Sequence, residues 1–170
     1  ASADEFAIKV KFGIARFFVD PNANLSLNGA IFEIAGEREG DYVSYGVALH
    51  FSKVLRGQID AELLSLVFGA KYAILRGETS LHFSSYIGPS WLLSGNRLEP
   101  RTGYLLETGF RPMLRYGLEA ERKLGERLNL SSSLQYHFTV KHVYLHNPFR
   151  PHKHKDIFQY LSLNVGLGGT

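Results

Sequence analysis

Leu128-Asn129-Leu130-Ser131-Ser132-Ser133-Leu134-Gln135-Tyr136-His137-Phe138-Thr139 alternates apolar and polar side chains almost without a break. Leu128, Leu130, Leu134, Tyr136 and Phe138 fall on one parity, and Asn129, Ser131, Ser133, Gln135, His137 and Thr139 on the other. Ser132 alone interrupts the apolar set. Successive side chains of a pleated strand point to opposite faces, so alternation over this length specifies a strand. The polar parity holds only small or neutral polar groups, with no Lys or Glu, which is unusual for a face turned to water. The turn Leu124-Gly125-Glu126-Arg127 introduces it.

The same period recurs along the chain. Strands are predicted over residues 7–19, 42–52, 58–66, 70–75, 81–93, 104–124, 128–139 and 157–168, eight in all. Residues 20–41 alternate poorly, because Phe32 and Ile34 break the pattern, and read as a long first loop with a short strand of its own. Leu63-Leu64 slips in phase, which predicts a bulge or a strand end. Pro89 predicts an edge or bulge in the fifth strand. Connections near Val54, Glu78 and Glu126 are short, and those after the first and seventh strands are long. Short turns at one end and long loops at the other, with both termini on the short-turn side, are the asymmetry of an outer-membrane barrel. The expectation is an all-β, single-domain chain (residues 1–170): an eight-stranded antiparallel up-and-down transmembrane β-barrel, monomeric.

The totals agree with that class. The chain has 170 residues, 45% hydrophobic and 13% aromatic, too apolar for disorder. It has no Cys, which excludes disulfides and Cys-ligated metal sites. The net charge is +3 without a run of like charges, so nucleic acid is not an expected partner. No apolar run is long enough for a transmembrane helix, but a transmembrane strand needs only about 9–11 residues. The start Ala1-Ser2-Ala3 fits a mature chain from which a signal peptide has been removed.

Face composition assigns inside and outside. A soluble lipocalin-like barrel, binding a small apolar ligand within, would turn Lys, Glu and Thr to water. Here the non-apolar parity is Gly, Ser, Ala and Asn with few charges, which suits the crowded lumen of an eight-stranded barrel. The charges on that parity are Lys9, Lys11, Asp60, Glu62, Arg115, Glu119, Glu121 and Lys123, near neutrality as a set. A lumen network of these groups is expected, since buried charges must be paired. Were Arg115 or a Lys to change partners among Asp60, Glu62 and Glu119, a narrow path would open, although a plugged lumen is the default at this strand number. Tyr45, Phe51, Trp91, Tyr136 and Phe138 lie toward strand ends, as aromatic girdles do.

The hairpin from Gly117-Leu118-Glu119 to Tyr136-His137-Phe138 resembles the penultimate hairpin of small OmpA- and OmpW-type outer-membrane barrels. Tyr86-Ile87-Gly88 resembles their fifth strand, residues 161–168 their closing strand, and Phe12 to Asn22 the OmpW first strand and loop. The resemblance implies a bacterial outer-membrane location. It implies a structural, adhesive or porin-like role, such as passage of small apolar molecules through a lateral opening, without enzymatic activity or cofactor. Outer-membrane lipids and lipopolysaccharide are the implied partners.

Two further clusters carry candidate chemistry. His137-Phe138-Thr139 resembles the His and Ser, two apart, of lipid A deacylases of the PagL type, with His137 as base and Thr139 as nucleophile. Thr replaces Ser, Val140 replaces an Asn, and Gln159 stands where the orienting acid belongs, so His137 reads as a lumen histidine and no catalytic residue is expected. In the last long loop, Lys141, Arg150, Lys153 and Lys155 form a basic rim suited to lipopolysaccharide phosphates. His152 and His154 have the donors for a divalent metal, but the spacing does not specify a site, and none is expected.

Overall fold

A computed structural model describes residues 5–18, 27–56, 61–93, 105–106, 109–140, 143–146, 153–156 and 159–170. The strands are β1 (Glu5–Phe18), β2 (Leu27–Glu39), β3 (Val43–Arg56), β4 (Glu62–Leu75), β5 (Thr79–Leu93), β6 (Leu105–Leu106), β7 (Gly109–Lys123), β8 (Leu128–Thr139), β9 (Val143–His146), β10 (Lys153–Asp156) and β11 (Gln159–Gly169). Eight of them close an antiparallel barrel in the order β1-β11-β8-β7-β5-β4-β3-β2, each paired with its sequence neighbour and the last with the first. Closure leaves no barrel edge to template aggregation. β6, β9 and β10 form a separate three-stranded sheet, β10-β9-β6, from segments of the long connections.

The barrel and its eight strands are as expected, but two strands are not where the alternation put them. Residues 20–41 are not all loop: β2 is a full barrel strand, paired over its length with β1 and β3. The expected strands at residues 58–66 and 70–75 are one strand, β4, whose pairing with β3 runs unbroken through Leu63 and Leu64. Both corrections have one cause. Ile31 on β2 and Leu63 and Val67 on β4 are apolar yet buried inside the barrel, at 4%, 0% and 0% exposure. Apolar residues on both faces erase the period-2 signal. The short turns are therefore Gly40-Asp41-Tyr42, Arg76-Gly77-Glu78 and Leu124-Gly125-Glu126-Arg127, and Val54 lies inside β3, facing the lumen. The strand ends near Val54 belong to the long-loop side, where Val54 N donates to Ala61 O at 3.0 Å.

Pro89 sits in a strand paired on both sides. It lies opposite Pro112 of β7 in continuous register, while bridges to β4 lapse opposite Gly88 and Pro89. The proline's missing N–H is thus accommodated by a local gap in one ladder. The register shift in β4 falls between Ala73 and Leu75, not at Leu63-Leu64.

The barrel is inside-out relative to a soluble protein. Phe12, Ile14, Leu134, Leu163 and Val165 adjoin one another across β8, β11 and β1 and are all about half exposed or more. A soluble monomer rarely exposes a contiguous apolar patch above a few hundred Å². Lys9, Lys11, Glu33, Glu37, Lys71, Arg115, Glu119 and Glu121 are buried. Apolar outside and charged inside excludes the lipocalin-like alternative and defines a transmembrane barrel. Tyr42, Tyr45 and Tyr72 face outward near the short turns, and Trp91 and Phe110 pair outward near the long loops, with ring centroids 6.1 Å apart. These are the positions of two interfacial aromatic belts.

Candidate functional site

The candidate site is the lumen. Period-2 geometry sends Lys9 and Lys11 of β1, Glu33 and Glu37 of β2, Lys71 of β4, and Arg115, Glu119 and Glu121 of β7 into one interior. Within this network four cations stand against four carboxylates; a further buried cation, Arg111 of β7, lies outside it. Lys9 Nζ lies 2.8 Å from Glu37 and 2.6 Å from Glu121. Lys71 Nζ lies 2.5 Å from Glu37 and 3.2 Å from Glu119, and also donates to Glu121. Lys11 donates to Glu119 and stands 3.8 Å from Glu33. Arg115 donates to Glu33. Each of these four cations thus meets a carboxylate, and the shared partners make one continuous network rather than isolated pairs. Burying one such charge unpaired would be prohibitive, so the network is a condition of closing the lumen.

Space for these long side chains comes from small partners. Gly166 and Gly168 of β11 lie opposite Lys11 and Lys9, and a Cβ at either would come within 2.7 Å of the lysine Cγ. Tyr86 lies against Gly69 across the β4–β5 pair, where a Cβ would meet the ring at 2.7 Å. The Arg115 guanidinium stacks on that ring, 4.4 Å from its centroid, a cation–π contact strengthened by desolvation.

Above the charge network lies a ring cluster. His50 Nδ1 is 3.0 Å from Glu33 and His50 Nε2 is 2.7 Å from the Tyr160 hydroxyl. An ionised carboxylate only accepts, so in the neutral ring Nδ1–H donates to Glu33 and Nε2 accepts from Tyr160. His137 stacks on Tyr160 at 4.3 Å and on His50 at 4.8 Å. Toward the long loops apolar side chains enter the lumen: Phe17, Ile31, Leu63, Leu92 and Met113 are all at most 4% exposed, and the buried Arg111 at the same end donates to Phe110 O at 2.8 Å. A charged layer, a ring layer and an apolar layer fill the barrel in turn. No group of His, Asp or Glu that would hold a metal occurs among the described residues.

The sequence-predicted residues divide as follows. Lys9, Lys11, Glu119 and Glu121 come together in the network, and Arg115 joins it through Glu33. Glu62 does not: it meets Lys53 at 2.6 Å on the outer face of the β3–β4 pair, with both side chains partly exposed. Asp60, Lys141, Arg150 and His152 lie outside the described residues. Lys153, His154 and Lys155 fall on β10, paired with His146, Leu145 and Tyr144. Lys123 is on the lumen parity but exposed at the short-turn mouth. Glu33, Glu37, Lys71, His50 and Tyr160 were not anticipated as network members. The spacing Glu33-x-Ala35-x-Glu37 marks two of them once β2 is recognised as a strand.

His137 and Thr139 both face the lumen and are fully buried. The hydroxyl His137 reaches is that of Ser162, 3.0 Å from Nε2, not that of Thr139, and its Nδ1 has no hydrogen bond among the described residues. Gln159 occupies the opposite parity, and its side-chain oxygen accepts from Tyr136. The residues matched to a hydrolytic triad are therefore split between the two sides of the wall, with His137 and Thr139 buried in the lumen and Gln159 outside.

No family model matches the chain, and no curated protein matches it in sequence. Solved structures match over nearly the whole length. Neisserial surface protein A (NspA) matches at 12% identity and TM-score 0.73, over 96% of each chain. The outer membrane protein OprG of Pseudomonas aeruginosa matches at 12% identity and TM-score 0.60, over 98% of this chain and 96% of that one. The outer membrane enzyme PagL matches at 10% identity and TM-score 0.57, over 94% and 97%. Identity this low carries the fold alone, and one fold hosts both catalytic and non-catalytic members. On its closed topology, its inverted polarity and these likenesses, the chain has the fold of the small eight-stranded outer-membrane β-barrels.

Proposed function

We propose that this protein is a bacterial outer-membrane barrel of structural and surface-interaction type, without catalytic activity and closed to axial passage. Its long-loop end, facing outward, contacts lipopolysaccharide phosphates through Lys141, Arg150, Lys153 and Lys155. The observation that carries the reading is the crowded lumen, in which the ion-paired side chains and the apolar residues toward the long loops are buried. The crowding of four cations in one connection supports the lipopolysaccharide contact, since Lys and Arg bind phosphate well. Burial of His137 and Thr139 supports the absence of hydrolysis.

The test is planar-bilayer recording on refolded protein, paired with mass spectrometry of lipid A from overexpressing cells. The reading predicts no stable channel and no loss of acyl chains. Large, steady conductance would overturn the closed lumen, and lipid A lacking an acyl chain would overturn the non-enzymatic role.

A further inference from the structure

Near the long loops, polarity interrupts the apolar belt of the outer wall on β1 and β2. Across β8, β11, β1 and β2 an outward row reads Tyr136, Leu161, Arg16 and Asn28. The next row toward the middle of the barrel reads Leu134, Leu163, Ile14 and Ala30. The Tyr136 hydroxyl is committed to Gln159. Lys53, an outward cation at the same end, is met by Glu62 at 2.6 Å. Arg16 and Asn28 are exposed side by side, and neither makes an ion pair or side-chain hydrogen bond with a described residue. The backbone register also sets Arg56 of β3 opposite Asn28. Beneath this polar pair runs a groove of about 400 Å³ walled by Ile14, Leu134, Leu161 and Leu163 and floored by Ala15, Gly29 and Ser162.

We infer that this groove binds one phosphate-bearing lipid of the leaflet on the long-loop side. Arg16 and Asn28 hold the phosphate, and an acyl chain lies along Ile14, Leu163 and Leu134. An arginine without a carboxylate on a lipid-facing wall is costly at the midplane and tolerated near the interface, where its planar fork matches a phosphate bidentately. The order of the two halves selects the occupant. The polar end points to the long loops and the apolar end to the midplane, as a lipid of that leaflet lies, whereas a soluble anion would use only the upper half. With the long loops outward the leaflet is the outer one, and the lipid is phosphorylated lipid A. The inference rests on the outer-membrane reading above and adds a wall site distinct from the loop contact proposed there.

Native mass spectrometry of the detergent-solubilised protein with purified bisphosphorylated lipid A tests it. Wild type should retain one copy. Arg16→Gln should lower retention roughly tenfold, as loss of a charge-assisted bidentate contact does, with Arg16→Lys intermediate and Lys53→Gln unchanged. Fully dephosphorylated lipid A should bind wild type as weakly as it binds Arg16→Gln. Heat-dependent gel mobility identifies folded protein, and Asn28→Ala gives the same readout if Arg16→Gln does not fold. Equal retention by wild type and Arg16→Gln, equal binding of the dephosphorylated lipid, or displacement of lipid A by equimolar inorganic phosphate would each overturn the wall site. Loss of retention in Lys153→Gln/Lys155→Gln with none in Arg16→Gln would overturn the wall site and leave the loop contact standing.

Discussion

Glu119 shows what the buried charges require of one another. Lys11 donates to it, and Lys71 and Lys9 stand 3.2 and 3.6 Å away, with all four groups withdrawn from water. Glu119→Gln leaves four cations against three carboxylates. Removing one partner from a buried ion pair costs about 3–5 kcal/mol, and urea unfolding of the refolded barrel in vesicles should show a loss of that size. Adding Lys11→Met restores neutrality and should recover most of it, because replacing a buried pair as a unit is often near neutral. By contrast Glu62→Gln removes a partly exposed pair with Lys53 and should change stability by less than about 1 kcal/mol. Alternation alone places Lys9, Lys11, Arg115, Glu119 and Glu121 on the lumen face, because the outward parity of β1 and β7 is mostly apolar, Arg16 and Arg122 near the strand ends excepted. It misplaced Glu62, because the neighbouring Ala61 and Leu63 are apolar and yet point inward. The rule that apolar residues face lipid inverts wherever the lumen is itself apolar.

At the scale of the strand, the same inversion hid β2 and divided β4. β8 and β11 are legible because their lumen faces are mostly Ser, Asn, Gln and Gly and their outer faces mostly Leu, Val and aromatic residues. β2 was not, because Ile31 inside and Phe32 outside are consecutive, and Glu37-Arg38-Glu39 has the composition of a turn. The strand nevertheless supplies two of the four network carboxylates, Glu33 and Glu37. A single-cysteine scan across residues 31–37 is clean, since the chain has no native Cys. Spin labels at 32 and 34 should report collision with oxygen dissolved in lipid, and those at 31, 33 and 35 should be shielded. Uniform access to a water-soluble relaxation agent would mean a loop and would remove β2 from the barrel. On the same strand, Ile34→Lys puts a charge on the lipid face and should destabilise by about 2–4 kcal/mol if its depth is near the midplane.

The whole molecule is a closed wall with apolar residues outside and a crowded, ion-paired interior. The small residues on the lumen parity and the asymmetry of turns and loops made that architecture readable, even though the strand count was reached through one missed strand and one divided strand. The layering of the lumen was not readable, since it depends on which strands bring Phe17, Ile31, Leu63, Leu92 and Met113 to the same height. A fold shared with an outer membrane enzyme leaves function to the particular side chains, and the two matched to its chemistry, His137 and Thr139, are buried. The central claim is that the apolar face meets lipid. Trp91 reports on it directly, being the single tryptophan of the chain, outward-facing and 43% exposed. Its fluorescence should be measured in vesicles of lipids brominated on the acyl chains, with iodide as the aqueous quencher. Strong quenching by the brominated lipids and little by iodide is the expected result. Quenching by iodide with none from the brominated lipids would contradict it.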